Sequence, residues 1–250
     1  MEQLNRLILF PQSFKDEIEA AINRCDCVAQ FNAWTKRFDQ LSSGIADESV
    51  TYSQVEDHVF ELKVICFLLD TKKNAKITYE PRGIVPKGKN CDLLVETDNY
   101  KYLIELKCTH PDMRGSKIPY EYITKNNKLS MGDEDYHQFQ SARGHLMDVT
   151  HATEEKIDNY GEGYKTVLAT IVGFHLNIEE LRDFVFFYKQ NAHRSDDPLG
   201  DMTMHNLKKP YKRTINEFWA LPFCQDGFDF KPNRIPTIVA PLKSNDVSLE

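Results

Sequence analysis

The segment CDLLVETDNYKYLIELKCT, residues 91–109, contains two short apolar runs separated by the polar dipeptide Asp98-Asn99. Runs of this length and composition are typical of β-strands. Asp and Asn suit a tight turn because both residue types tolerate the positive φ values that two-residue hairpin turns need. The segment therefore predicts an antiparallel β-hairpin that turns at Asp98-Asn99, and this hairpin decides both the fold and the candidate site.

A two-residue turn determines which residues of the two strands face each other. In that register Glu96 faces Lys101, which is a favourable pair, whereas Asp92 faces Glu105. Strand alternation then places Lys107 on the same face of the sheet as both carboxylates. A shift of one residue would move Asp92 to the other face, so this prediction depends on the length of the turn.

Opposed carboxylates in a sheet repel each other, because their Cβ atoms lie only about 4.5 to 5.5 Å apart. Two carboxylates held together in this way either share a proton or bind a cation. An oxygen-seeking divalent ion such as Mg²⁺ or Mn²⁺ suits the pair, since no neighbouring set of His and Cys favours zinc. The ammonium of Lys107 would extend over the same site, where it could position a water or offset charge on a phosphate.

The alternative is an ordinary Glu–Lys pair on the solvated face of an antiparallel sheet. The tripeptide Glu-Leu-Lys occurs a second time at residues 61–63, within a predicted helix, so the tripeptide alone is not diagnostic. The combination of an apolar strand, an opposed aspartate and a lysine on the same face favours a functional site.

Helical and strand periodicities flank the hairpin on both sides. Within the last helix, residues 184–188 (FVFFY) leave a strand open as an alternative. The predicted helices are 12–42, 52–70, 135–150 and 177–190, and the predicted strands are 76–80, 91–96, 101–108, 118–123, 165–176 and 236–242.

This order of elements predicts an α/β (α+β) fold with a mixed β-sheet core flanked by helices. We expect a helical N-terminal region at residues 1–48 that packs on the core. The α/β core itself should occupy residues 49–190. Residues 191–250 are polar and rich in turns, and they are expected to form a C-terminal extension with one strand.

The composition is that of an ordinary globular protein, with 250 residues and a net charge of −7. The negative charge argues against adhesion to nucleic acid over the whole surface. The negative charge still allows a local basic groove. Each of three basic segments either contacts a ligand or is solvated surface: Thr71–Lys76, Pro81–Lys89 and Lys208–Arg213. No apolar run is long enough to cross a membrane, and the first residues lack the features of a signal peptide.

Six cysteines are spread along the chain without the spacing of a disulfide framework, which predicts reduced thiols in a cytoplasmic protein. The pair Cys25-x-Cys27 could ligate a metal, but no second pair completes a tetrahedral site. Two thiols on a helix surface or in the core are the alternative interpretation.

Asp92, the hairpin and Glu105-Leu106-Lys107, with a helix before and another after, resemble the PD-(D/E)xK nuclease superfamily, which has the restriction-endonuclease-like fold. The resemblance covers roughly residues 52–176 and depends on short motifs taken together with the order of the elements. One departure is Cys91, which stands where many members have proline. The resemblance implies metal-dependent phosphodiester hydrolysis, with Asp92 and Glu105 on Mg²⁺ and Lys107 near the nucleophilic water.

Members of this family often add an acidic residue from the helix that precedes the hairpin. There, Glu56, Lys63 and Asp70 share one narrow stripe, which we expect to face solvent, whereas Glu61 lies among apolar residues. A carboxylate on an apolar side needs a partner, and this is either the metal site or water at the end of the helix. Glu80, at the end of the preceding strand, is the other candidate for the third acid.

The candidate substrate contacts are Gln140 and His137, on the helix after the hairpin, and Lys89 in the loop before it. Each of them could equally be a surface residue. His58, one turn before Glu61, resembles a histidine that some of these nucleases place on the same helix.

The sequence therefore predicts a Mg²⁺- or Mn²⁺-dependent endonuclease of restriction or repair type, with DNA favoured over RNA as its substrate. A non-catalytic nucleic-acid-binding or protein-interaction module on the same fold is the alternative, and it would be expected to have lost an acid or the lysine. A third hypothesis is an enzyme that uses the carboxylates on another substrate, since fold does not determine function. No membrane partner is expected, and a homodimer is left open.

Overall fold

The computed structural model describes residues 12–46, 49–50, 52–72, 74–82, 90–108, 142–160, 163–172, 178–190, 192–194, 204–206, 210–222 and 237–239. These residues form a mixed α/β structure in which helices cover both faces of a mixed β-sheet. Every helix within them is too short or too polar to span a membrane.

The described part of the chain begins with helices, continues with the hairpin and its neighbouring strand, and ends with further helices and strands. The helices are α1 Gln12–Arg24, α2 Phe31–Ala46, α3 Tyr52–Thr71, α4 Ala142–Ile157 and α5 Ile178–Gln190. The strands are β1 Lys76–Tyr79, β2 Leu93–Glu96, β3 Lys101–Lys107, β4 Lys165–Val172, β5 Ala192–Arg194, β6 Met204–Asn206, β7 Glu217–Pro222 and β8 Thr237–Val239.

Six strands form one sheet in the order β1-β2-β3-β4-β7-β8, and β5 pairs with β6 separately. Strand β2 is antiparallel to both β1 and β3, whereas β3, β4 and β7 are parallel. The carboxyl ends of β1, β3, β4 and β7 therefore meet the amino end of β2 at one edge, which we call the carboxyl edge.

Apolar side chains cover both faces of this sheet. Helices α1, α2 and α3 form a core with one face, in which Trp34 and Ile65 pack together with Ile104 of the hairpin. Helices α4 and α5 form a second core with the other face, which contains Leu168 of β4 and Phe218 of β7. Burial on both faces explains why the central strands are almost continuously apolar.

The hairpin has the predicted register. Leu94 pairs with Leu103 and Glu96 pairs with Lys101. The Lys101 ammonium lies 2.9 Å from Glu96 Oε1, which is the predicted cross-strand ion pair. The register follows from local sequence because a two-residue connection leaves no freedom in how the two strands align.

The turn itself differs from the prediction in its backbone conformation. Asp98 and Asn99 are its two central residues, but neither is among the described residues with positive φ. The turn is closed by Thr97, whose N–H donates to the Tyr100 carbonyl at 2.8 Å. The Thr97 hydroxyl also lies 3.0 Å from both the backbone oxygen and the backbone nitrogen of Tyr100. These side-chain hydrogen bonds stabilise a turn that needs no left-handed residue.

One predicted helix end is wrong, and the alternative left open for another helix is resolved. Helix α4 continues to Ile157, seven residues beyond the predicted end at Thr150. Residues 184–188 belong to α5, so the alternative strand at this position is wrong. The predicted strand at 118–123 lies outside the described residues.

The predicted strand content of residues 191–250 is wrong. Besides β8, at the predicted position, this region contains β5, β6 and β7. Strand β7 pairs with β4 over six residues, and Phe218, Trp219 and Ala220 are almost fully buried. A short apolar run inside a polar region becomes a central strand because β4 and β8 cover its two edges, and that pairing is not visible in local sequence.

Candidate active site

Asp92, Glu105 and Lys107 lie together at the carboxyl edge. The hairpin places Asp92 directly before β2, and it places Glu105 and Lys107 at the carboxyl end of β3, away from the turn. The Lys107 Nζ lies 2.9 Å from Glu105 Oε1 and 3.9 Å from Asp92 Oδ2. The structure thus brings together the three residues that the hairpin register predicts to share one face.

A second ammonium, from Lys156, lies between the two carboxylates. Lys156 extends from the last turn of α4, and its Nζ lies 2.6 Å and 2.8 Å from the two oxygens of Glu105. The same nitrogen lies 3.5 Å from Asp92 Oδ1. We call these four residues, Asp92, Glu105, Lys107 and Lys156, the edge cluster.

Lys156 is absent from the predicted site because the predicted helix ends at Thr150, before the polar stretch HATEEK. The helical spacing of the buried residues could have indicated Lys156. Leu146, Val149 and Thr153 are buried on α4, and continuing their spacing of three and four residues leads to Lys156. Extending the apolar stripe by one turn would have placed this lysine on the side of α4 that faces the sheet.

Asp92 is oriented by the backbone of two neighbouring strands. The Leu106 N–H donates to Asp92 Oδ2 at 2.7 Å, and the Glu80 N–H donates to the Asp92 carbonyl at 2.8 Å. One carboxylate oxygen of Asp92 therefore has a backbone donor, and the other faces Lys156. This arrangement holds the Asp92 carboxylate toward Glu105 although both groups are acidic.

The burial of Glu105 dominates the electrostatics of the edge cluster. Its side chain is only 3% exposed. Burial and then the charge of Asp92 raise the pKa of Glu105, against the opposing effect of Lys107 and Lys156. Burial also disfavours the charged form of Lys107, but Asp92 and Glu105 outweigh it and raise the pKa of that ammonium. Lys107 therefore stays protonated at neutral pH.

Glu61 lies near the edge cluster but has partners of its own. The Tyr79 hydroxyl donates to Glu61 Oε2 at 2.8 Å, and His58 Nδ1 lies 2.9 Å from the same oxygen. The charge of Glu61 contributes to the raised pKa of Lys107, so the two groups interact across the edge. These contacts provide the partner that the apolar surroundings of Glu61 require.

His58 is part of the core rather than of an exposed surface. Its side chain is 2% exposed, its ring stacks on Trp34 at 4.5 Å between centroids, and Nε2 lies 2.9 Å from the Trp34 carbonyl. This burial keeps His58 away from any substrate, and its contact with Glu61 is a supporting one.

Glu80 supports the site mainly through its backbone. Its φ of 40° lies in the left-handed region, which residues other than glycine rarely adopt. The Glu80 N–H donates to the carbonyl of Asp92 and so continues the pairing of β1 with β2 by one residue. The Glu80 carboxylate is 37% exposed and lies 4.0 Å from Arg37 Nη1.

The three candidate substrate contacts, Lys89, His137 and Gln140, lie outside the described residues.

Of the predicted solvent stripe on α3, Asp70 is exposed and forms an ion pair with Arg24 of α1. Cys25 is buried whereas Cys27 is exposed, and both are free thiols.

The donor set of the edge cluster fits a hard divalent cation. Mg²⁺ is commonly held in proteins by one or two carboxylates, with waters and substrate oxygens as its other ligands. Asp92 and Glu105 supply such a pair. The Lys156 ammonium, which carries a positive charge, lies close to oxygens of both carboxylates, so the two acids can share one cation. Within the described ranges, no three side chains of His, Cys, Asp or Glu converge as a full ligand set.

Comparison with known proteins gave no match: no family model, no curated protein and no solved structure is significantly similar to this chain. The membership of the nuclease superfamily therefore stays a prediction from the hairpin motif and the order of the elements.

Proposed function

We propose that this chain is a divalent-metal-dependent hydrolase of phosphodiester bonds in nucleic acid, namely a DNA endonuclease of restriction or repair type. One observation carries the proposal. Asp92 and Glu105, from the two strands of one hairpin, approach the same ammonium of Lys156, while Lys107 lies 2.9 Å from Glu105. Two acids and a lysine at one edge of a sheet are the groups that such hydrolysis needs.

Asp92 and Glu105 are the residues that would hold Mg²⁺ or Mn²⁺. Glu61 is our preferred third acid because its charge reaches Lys107, whereas the Glu80 carboxylate lies beside Arg37. When bound, the cation polarises the phosphoryl group and makes a water more acidic.

The protein's own groups have separate tasks in this reaction. The Leu106 N–H keeps Asp92 in place. The ammonium of Lys107 positions the attacking water and offsets the negative charge that develops on the phosphoryl oxygens. The water oxygen forms the new bond to phosphorus and loses its proton to solvent, while one ester P–O bond breaks and its oxygen takes up a proton.

The topology supports the same proposal. The chain runs through α3, the antiparallel strands β1, β2 and β3, the crossover helix α4 and the parallel strand β4. This is the helix, three strands, helix, strand order on which the resemblance to the nuclease superfamily depends. The fold alone does not determine a reaction, so the edge cluster remains the main support.

A non-catalytic module on the same fold is the second candidate. The observation that favours it is the balance of charge in the edge cluster, where two ammonium groups face two carboxylates. In that case the four side chains would be a structural ion-pair network, and the chain would bind nucleic acid or another protein without cutting.

A cleavage assay separates the two candidates. Purified protein is incubated with circular duplex DNA, linear duplex DNA and single-stranded RNA, each with Mg²⁺, with Mn²⁺ or with EDTA. The proposal predicts cutting of circular DNA that requires a divalent ion, since only an endonuclease opens a circle. Retarded migration without cutting would support the binding module, and cutting in EDTA would contradict the metal-dependent mechanism. Light scattering of the same sample shows whether the protein is a homodimer.

A further inference from the structure

The two lysines of the edge cluster contact the carboxylates in different ways. Lys107 approaches one oxygen of Glu105, and its nearer Asp92 oxygen, Oδ2, already accepts the Leu106 N–H. Lys156 contacts both oxygens of Glu105 and also faces Asp92 Oδ1. The Lys156 ammonium therefore occupies the position between the carboxylates, whereas Lys107 lies to one side.

That position is the one in which an ion shared by Asp92 and Glu105 would lie. A divalent cation needs the oxygens that Lys156 now contacts, and two positive charges at hydrogen-bond distance from the same oxygens repel each other. Lys156 has a long, flexible side chain at the end of α4, with 14% of it exposed, so it can withdraw toward solvent.

We propose that Lys156 is a built-in counterion, which occupies the cation position between Asp92 and Glu105 in the metal-free protein and is displaced when Mg²⁺ or Mn²⁺ binds. This inference rests on the proposed metal-dependent function and adds a residue that controls metal affinity. The ammonium offsets the repulsion between the two carboxylates and so holds them close together before the metal arrives. The same contact lowers the affinity for the metal, because it must be broken first.

The test measures Mn²⁺ binding directly, from the electron paramagnetic resonance signal of free Mn²⁺, so it does not depend on activity. The proteins compared are the wild type, Lys156→Met, Lys156→Arg and Lys101→Met. Methionine keeps most of the length of lysine but not its charge, and arginine keeps the charge. Lys101 is a matched control because it also pairs with a glutamate across the hairpin, at the opposite end of β3.

Lys156→Met should bind Mn²⁺ about tenfold more tightly than the wild type, since the competing charge is gone. Lys156→Arg and Lys101→Met should bind it as the wild type does. A second measurement is independent of any loss of stability caused by the substitution, because each protein is compared with and without metal. Mn²⁺ should raise the melting temperature of Lys156→Met more than that of the wild type. Lys156→Gln serves if the methionine variant does not fold.

Equal or weaker Mn²⁺ binding by the uncharged variants would overturn this inference and leave the proposed function intact. No Mn²⁺ binding by any of the proteins would overturn the inference and the proposed metal site together, so the two failures are distinguishable.

Discussion

Glu105 on β3 and Glu154 on α4 are both buried carboxylates, but they are held by different kinds of donor. Glu154 is 1% exposed and accepts hydrogen bonds from the backbone N–H groups of residues 212, 213 and 214 and from the Tyr188 hydroxyl. Glu105 is 3% exposed, and its partners are the flexible ammonium groups of Lys107 and Lys156. Glu105 also faces a second acid, Asp92, across the hairpin.

The difference separates a structural anchor from a candidate site, although Glu154 of the anchor and Lys156 of the site lie on the same last turns of α4. Backbone donors cannot leave Glu154 without unfolding the segment 210–216, so that carboxylate ties the approach to β7 onto α4 and α5. Lysine side chains, in contrast, can release Glu105. The carboxylate can then bind a cation, and the lysines can contact a substrate. Burial of an acid is thus insufficient to indicate function, and the mobility of its partners is the informative feature.

The largest change in stability should come from Glu154→Gln. The amide nitrogen that replaces one oxygen would face backbone N–H donors, which would lose their acceptor in a buried place. We expect a loss of about 3 kcal/mol or more in the free energy of unfolding, measured by urea denaturation. Glu155→Gln, on the exposed neighbour, is the control. Similar stability of the two variants would remove the contrast between anchor and site.

The matching substitution Glu105→Gln should have the opposite profile. Burial penalises the charged form of Glu105, and Lys107 and Lys156 are 36% and 14% exposed, so both can turn to water. The neutral amide should therefore change the free energy of unfolding by less than about 1 kcal/mol. Loss of a ligand should nevertheless weaken Mn²⁺ binding by more than about a hundredfold, since even outer-shell changes cost about 10- to 100-fold. Unfolding of this variant under native conditions would show that Glu105 is a structural anchor as well.

A smaller effect should distinguish the two candidates for the third acid. Glu61→Gln should slow Mg²⁺-dependent cleavage about tenfold, because Glu61 acts on Lys107 and lies beside the edge cluster. Glu80→Gln should change the rate much less, since its contribution to Asp92 comes from the backbone N–H. Initial rates for both variants under one set of conditions decide the question, and the reverse order would assign the third acid to Glu80.

The smallest effect should come from an ion pair that is exposed. Lys101 is paired with Glu96, and the hydrogen bond and the charge of Lys101 lower the pKa of that carboxyl, yet more than half of the Lys101 side chain is open to water. Lys101→Met should therefore change stability by no more than about 0.5 kcal/mol, measured by thermal unfolding. A loss close to that of Glu154→Gln would show that exposure does not separate strong from weak pairs here.

The hairpin could be predicted because its determinants are local. A two-residue connection and the alternation of apolar residues were enough to give the observed pairing of Leu94 with Leu103 and of Glu96 with Lys101. The positive φ at Asp98 and Asn99 was a wrong inference from residue type, since the Thr97 hydroxyl stabilises another turn conformation.

The remaining parts depend on contacts between distant segments. Lys156 reaches Glu105 only because α4 crosses from β3 to β4 and ends beside the hairpin. The burial of β7 depends on its position between β4 and β8. The hydrogen bond from Tyr79 to Glu61 likewise joins β1 to α3, and no spacing rule predicts it.

The most direct test of the account is the cleavage of circular DNA by the wild type and by Asp92→Asn, purified in parallel and both shown to be folded by circular dichroism. Asn keeps an oxygen that can accept the Leu106 N–H but removes the charge that a divalent cation needs. We expect Mg²⁺-dependent cutting by the wild type and a rate at least about a hundredfold lower for Asp92→Asn. Equal cutting by both proteins would contradict it.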